Sequence, residues 1–189
     1  MFEFILEIDR VLYEFINGRL NNLFLDWLMP VATNAYTWIP LYLGLVIFLV
    51  FKYRKKFFIP LIGLLITFAA SDYISASIVK PMVNRTRPCI EETVSSRVVG
   101  VECRNSFSFP SSHATNHFGI AFFLLFIYGF RKRVVFSFWI PWAILVSYSR
   151  IYVGVHYPLD ILGGAFLGVV IAWLVSKPIN YYLLDFKNK

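Results

Sequence analysis

Long runs of uncharged apolar residues constrain this chain more than any other feature. Residues 57–79 carry a single charge, Asp72, residues 134–149 and 161–176 carry none, and residues 114–130 hold only the neutral His117. Each run approaches the roughly 17–25 residues that cross a bilayer as an α-helix. Only 15% of the chain is charged and 58% is hydrophobic, whereas soluble domains carry about 25% charged residues. The runs predict an all-α, polytopic membrane helix bundle of five to six spans, at 36–51, 57–79, 112–130, 134–150 and 157–176. The count turns on residues 20–33, an apolar stretch interrupted by Asp26 and Pro30. That stretch forms either a second interfacial helix or a half-length span.

Residues 2–16 are amphipathic: Ile5, Ile8, Leu12, Phe15 and Ile16 share one helical face, with Glu3, Glu7, Arg10 and Glu14 on the other. This predicts an N-terminal helix lying in the membrane interface. A single membrane-integral domain over 1–189 is expected, with peripheral helices in 1–34 and the spanning bundle in 36–176. The start, Phe2-Glu3-Phe4, lacks the basic region of a cleavable signal peptide.

The net charge of +7 reads as membrane topology rather than nucleic-acid binding. Lys52, Arg54, Lys55 and Lys56, and then Arg131, Lys132 and Arg133, directly follow apolar runs, as cytoplasmic anchors do. With these clusters inside, Lys80 through Phe109 lie outside. Arg150 and His156 reach the same outer face, and the tail with Lys177, Lys187 and Lys189 returns inside. Arg85, Arg97 and Arg104 in the outer loop weaken the contrast. The loop at 81–111 is expected to carry a short helix. Both cysteines, Cys89 and Cys103, fall in it, where a disulfide is permitted. A bridge there would contribute roughly 3 kcal/mol; two free thiols are the alternative.

Three polar clusters gather at the outer helix ends: Lys80 to Arg87-Pro88, then Pro110-Ser111-Ser112-His113, then Ser149-Arg150 with His156 and Asp160. Lys80, Arg87 and Arg150 are cations with few acids nearby, and arginine matches phosphate oxygens. A helix starting at 111–113 offers free amides and a positive dipole end. This is an anion site. Asp160, four residues after His156 and just past Pro158, can hold one ring nitrogen and leave the other free to attack. His113 is then the acid for the leaving group. Neither a carboxylate cluster for Mg²⁺ nor zinc-ligand spacing is present, so neither metal nor cofactor is expected. Taken singly, Lys80 and Arg150 read as snorkelling helix-end cations, and His113 or Asp160 as a cap. His117 reads as structural. Asp72, costly inside a span, reads as a buried polar contact below the site.

Together the clusters resemble the three signature motifs of the type 2 phosphatidic acid phosphatase (PAP2) superfamily, which includes bacterial lipid phosphatases and vanadium haloperoxidases. The family pattern is Lys, six residues, Arg-Pro; Pro-Ser-Gly-His; then Ser-Arg, five residues, His, three residues, Asp. Residues 80–88, 110–113 and 149–160 match in order and spacing, with Ser112 in place of the glycine. If that glycine served a positive φ, serine would be strained there. The resemblance implies that His156 attacks phosphorus, Asp160 orients it and His113 protonates the leaving group. Lys80, Arg87, Ser111, Ser112 and Arg150 would hold the phosphate. It implies a lipid phosphate or diphosphate substrate in a bacterial cytoplasmic (inner) membrane, with the site facing the periplasm or cell exterior. Undecaprenyl (polyprenyl) diphosphate is the leading expectation for a compact chain with a short outer loop. Phosphatidylglycerol phosphate, phosphatidic acid and lipid A phosphates are alternatives. A vanadate-dependent oxidase and a non-enzymatic lipid-binding or transport protein are the rival classes.

Overall fold

A computed structural model describes residues 2–127 and 132–185. Arg131, Lys187 and Lys189 of the expected basic anchors, and the end of the expected 112–130 span, lie outside the described residues. Among the described residues there is no strand. The helices are α1 (Phe2–Glu14), α2 (Leu23–Thr33), α3 (Ile39–Tyr53), α4 (Phe58–Tyr73), α5 (Ser112–Phe126), α6 (Ile140–Tyr152) and α7 (Pro158–Asp185). A π-helical turn, Ile74–Val79, and a last helical turn, Lys80–Val83, prolong α4; Lys132–Val134 and a π-helical turn, Val135–Trp139, lead into α6.

Four stretches are long and apolar enough to cross a membrane: Ala35–Lys56, Phe58–Val83, Lys132–Tyr152 and Pro158–Leu184. Helix α5, 15 residues long, reaches about 22 Å at 1.5 Å per residue, short of a hydrocarbon core of about 30 Å. Helix α2, at 11 residues, is shorter still. It does not run between the two ends of the bundle: near its start Asp26 accepts from the Tyr152 hydroxyl, and at its end Thr33 accepts from Arg150. Both partners sit in the last turn of α6. In the expected loop at 81–111 the short helix is the turn that ends at Val83; the backbone of 84–111 is held by turns and by side chains from elsewhere.

Helix α5 lies between α4, α6 and α7, and its closest partner is α7. Small residues permit this approach. A Cβ on Gly164 would lie 2.5 Å from the Ser111 carbonyl, and one on Gly168 would collide with the Thr115 carbonyl. The helix starts are thereby locked together: Ser111 N–H donates to the Asp160 carbonyl at 2.9 Å. Leu124, Phe123, Ala121, Val146 and Ala143 are fully buried at the centre.

Of the five residues on the N-terminal apolar face, only Ile16 packs against the protein core. Ile5, Ile8, Leu12 and Phe15 are exposed, while Asp9, Tyr13 and Asn17 are buried. The protein-facing stripe is therefore the polar one at four-residue spacing.

Candidate active site

The sequence after α6 must turn sharply to present His156. Gly154 adopts φ +88°, and a Cβ there would sit 2.5 Å from the Arg97 carbonyl, so the turn requires glycine. Asn17 holds the same turn, donating to the carbonyls of Tyr152 and Arg97 at 2.7 and 2.8 Å. Pro158 then opens α7, where its missing N–H costs nothing. Asp160, in the first turn, reaches back to the Tyr157 amide at 2.9 Å, as a capping-box acid does. The same oxygen, Oδ2, is 3.3 Å from His156 Nδ1. His156 and Asp160 are almost completely buried.

This arrangement selects one tautomer. A carboxylate accepts, so Nδ1 carries the proton and Nε2 keeps its lone pair. Nε2 faces Arg87 Nη1 at 3.4 Å. Burial first, and then the charges of Arg150, Arg87 and Lys80, hold the His156 pKa well below the usual histidine value. The imidazole is thus a neutral, desolvated base with its free nitrogen directed among cations.

The cations are fixed by acceptors that leave their charge uncompensated. Lys80 Nζ donates to the Phe107 carbonyl at 3.0 Å. Arg87 donates to the carbonyls of Ser106 and Val155 at 2.9 and 3.0 Å. Arg150 donates to the Thr33 hydroxyl at 2.6 Å, and its buried Nε has no partner. Lys80 lies within electrostatic reach of both arginines, and His113 within reach of Arg150, Lys80 and His156. The three cations, both histidines and the start of α5 therefore converge. At that start the Ser111 hydroxyl caps the Ala114 amide, leaving the Ser112 and His113 amides without intrahelical acceptors.

Ser112 carries no backbone strain: among the described non-glycine residues, only Arg54 and Asn84 have positive φ. Its hydroxyl accepts from Ser75, in the π turn of α4, at 2.9 Å. Asp72 accepts from Asn116 Nδ2 at 3.2 Å, so the polar contact exists, but Asp72 is exposed on its helix rather than buried. Cys89 and Cys103 form a disulfide, closing the loop that carries Arg97 and adjoins Arg87.

Two residues of the constellation, Arg85 and Asp9, are not among those the motifs mark. Arg85 bridges Asp160 Oδ1 at 2.8 Å and Asp9 Oδ2 at 2.6 Å, and its guanidinium stacks on the Tyr157 ring at 4.1 Å. Asp9 also accepts from the Leu159 amide at 2.8 Å. A continuous chain thus runs from α1 through Asp9, Arg85 and Asp160 to His156. Position gave a faint signal for Arg85, two residues before Arg87. For Asp9 the signal was its place on the Asp9, Tyr13, Asn17 stripe.

A sequence model of the PAP2 superfamily matches residues 60–182. The lipid A 4'-phosphatase of Bacteroides thetaiotaomicron is 38% identical over 180 residues, covering 92% of this chain and 78% of its own length. The lipid A 4'-phosphatase of Porphyromonas gingivalis is 32% identical over 184 residues, covering 95% of this chain and 76% of its own. Among solved structures, a transmembrane PAP2-type phosphatidylglycerolphosphate phosphatase from Bacillus subtilis shares the fold. Its TM-score is 0.67 at 23% identity, over 98% of this chain and 88% of that one.

Proposed function

The chain belongs to the PAP2 superfamily, and from that premise we propose that it is a metal-independent membrane lipid phosphatase working through a phosphohistidine at His156. It is a phosphoric ester hydrolase of a lipid phosphatase family. The observation that carries the mechanistic reading is the buried His156, bonded to Asp160 on one nitrogen and facing Arg87 with the other.

In this reading His156 Nε2 attacks phosphorus in line as the bond to the lipid oxygen breaks. His113 gives that oxygen its proton. His113 then takes a proton from water as the water attacks the phosphohistidine, releasing inorganic phosphate and restoring His156. Phosphoryl transfer needs alignment and neutralisation of the equatorial oxygens. Lys80, Arg87 and Arg150 supply the charge, and Ser111 and Ser112 shape the amide end of α5. Asp160 fixes the nucleophile's tautomer, and Arg85 and Asp9 position Asp160.

The substrate we assign is a lipid phosphate monoester, lipid A phosphate first. Support comes from the two lipid A 4'-phosphatases, which match nearly the whole chain; undecaprenyl diphosphate, the substrate of weaker matches, is the alternative. A cavity of about 460 Å³ opens beside His113 between α3, α4 and α5 and is mostly apolar, as a lipid leaving group requires. We place α5 as a fifth span, shielded by its neighbours, and α1 and α2 at the interface beside the site. The site faces the periplasm or exterior of a bacterial inner membrane, because Lys52–Lys56 joins the opposite ends of α3 and α4.

The test is phosphate release by purified enzyme from bis-phosphorylated lipid A, phosphatidylglycerol phosphate and undecaprenyl diphosphate, with EDTA present. Release is expected from lipid A most rapidly, and His156→Ala should abolish it. Full release by His156→Ala, or dependence on added metal, would overturn the mechanism.

A further inference from the structure

The cavity beside His113 is not uniformly apolar. Its α3 and α4 walls are largely aliphatic and aromatic, with Leu45, Leu61, Leu64 and Phe68 among them. Its α5 wall carries His113, then Asn116 and His117 about one turn further along the same helix face, then Ile120. Asn116 and His117 are 8% and 9% exposed, and each has one polar atom without a partner, Asn116 Oδ1 and His117 Nε2. Buried polar atoms are rarely left so, and each such atom calls for an explanation.

Hydrogen bonding fixes what these two atoms are. Asn116 Nδ2 donates to Asp72 Oδ1 at 3.2 Å, so the amide cannot be flipped and Oδ1 is the atom left without a partner. His117 Nδ1 lies 2.8 Å from the His113 carbonyl. A carbonyl only accepts, so in the neutral ring Nδ1 carries the hydrogen and Nε2 offers a lone pair. Trp142 packs against the imidazole at 4.6 Å and limits its rotation. Both unpaired atoms are therefore fixed acceptors, on neighbouring residues that line the cavity next to the proposed leaving-group acid.

We propose that Asn116 and His117 form a donor-recognising subsite for a hydroxyl or amide N–H lying a few bonds from the scissile phosphate ester. Its ligand is the sugar or glycerol portion of a lipid phosphate. A polyprenyl chain has no such donor and would leave both acceptors desolvated and unpaired, a penalty that rejects it. The inference rests on the lipid phosphatase reading and narrows its substrate class to hydroxyl- or amide-bearing lipids.

The experiment compares kcat/KM of the full-length enzyme in detergent on three probes: 1-acylglycerol 3-phosphate, its analogue lacking the free hydroxyl, and farnesyl phosphate. Wild type is expected to prefer the hydroxyl-bearing lipid on the order of 10- to 100-fold. His117→Phe keeps the aromatic packing, and Asn116→Leu keeps the volume. Each should bring the ratio close to unity by slowing only the hydroxyl-bearing lipid. Equal rates on the matched pair by wild type would overturn the subsite without any variant having to fold. A preference unchanged in both variants, or an equal loss on all probes, would overturn it too. Failure to release phosphate from every probe would instead count against the phosphatase reading.

Discussion

Replacing Arg85 with glutamine probes the chain of contacts behind the nucleophile. Arg85 is 19% exposed at its side chain and Asp160 is wholly buried, so the substitution strips a buried carboxylate of its counter-charge. Breaking a buried pair by removing one partner costs about 3–5 kcal/mol of stability. The catalytic effect is smaller, because Oδ2 of Asp160 keeps the Tyr157 amide. Losing one charge-assisted hydrogen bond on Oδ1 is worth about 1.5–3 kcal/mol of orientation, or roughly 10- to 150-fold in rate. That loss should fall on kcat, with KM moving less than about 3-fold, since nothing places Arg85 among the three converging cations. Asp9→Asn keeps an acceptor for the Leu159 amide and leaves Arg85 on Asp160, so it should cost less. Combined, the two substitutions should be less than additive, because both act through Asp160. Arg85→Lys, a point charge that cannot fork between two carboxylates, should recover only part of kcat. The assay is steady-state phosphate release alongside thermal unfolding in detergent, which separates lost fold from lost chemistry. A rise in KM at unchanged kcat would refute the reasoning, for it would make Arg85 a phosphate ligand.

The depressed pKa of His156 has a direct kinetic sign: in the mechanism we propose the deprotonated ring is the nucleophile, so kcat/KM should hold through about pH 6.5 and fall only in more acidic solution. Arg87→Gln removes one of the charges that disfavour protonation and should move this acid limb upward on the same substrate; a downward move would contradict the assignment. Cys89→Ser should lower stability by roughly 3 kcal/mol, and reductant should destabilise wild type but not the variant; thermal unfolding with and without reductant reads this directly.

The residues to which we assign the chemistry were legible because the proposed roles demand particular types at particular spacings. His156 and Asp160 are a histidine and a carboxylate four apart across a helix start, and the structure shows them bonded. Residue spacing could not reveal what holds the cations, because Lys80 and Arg87 are fixed by backbone carbonyls of a loop without regular structure. In α1 the apolar periodicity predicts a helix lying in the membrane interface, and Ile5, Ile8, Leu12 and Phe15 are exposed. What the apolar pattern does not show is which polar side chains turn inward to find partners. Asp9 was thus placed with no face in particular, although it is the buried one. Arg85 and Arg97 looked like exceptions to the charge asymmetry of the loops. Both are paired with carboxylates, Asp160 and Asp9 in one case and Asp26 in the other, so their positions answer to those partners rather than to membrane topology.

These contacts make the part of the chain before the family match at residue 60 more than an anchor. Asp9 braces Arg85 and the first turn of α7, Asn17 clamps the turn before His156, and Thr33 holds Arg150. Each is a single polar side chain on a segment otherwise rich in exposed apolar residues. Hydrophobic identity on that exposed side can change with little consequence for the site, whereas the inward polar residues cannot change without leaving a buried partner unpaired. It follows that the geometry of the proposed site depends on helices lacking every family motif. A chain truncated before α3 would keep His113, His156 and Asp160 while releasing Arg85, Arg150 and the turn at Gly154 together.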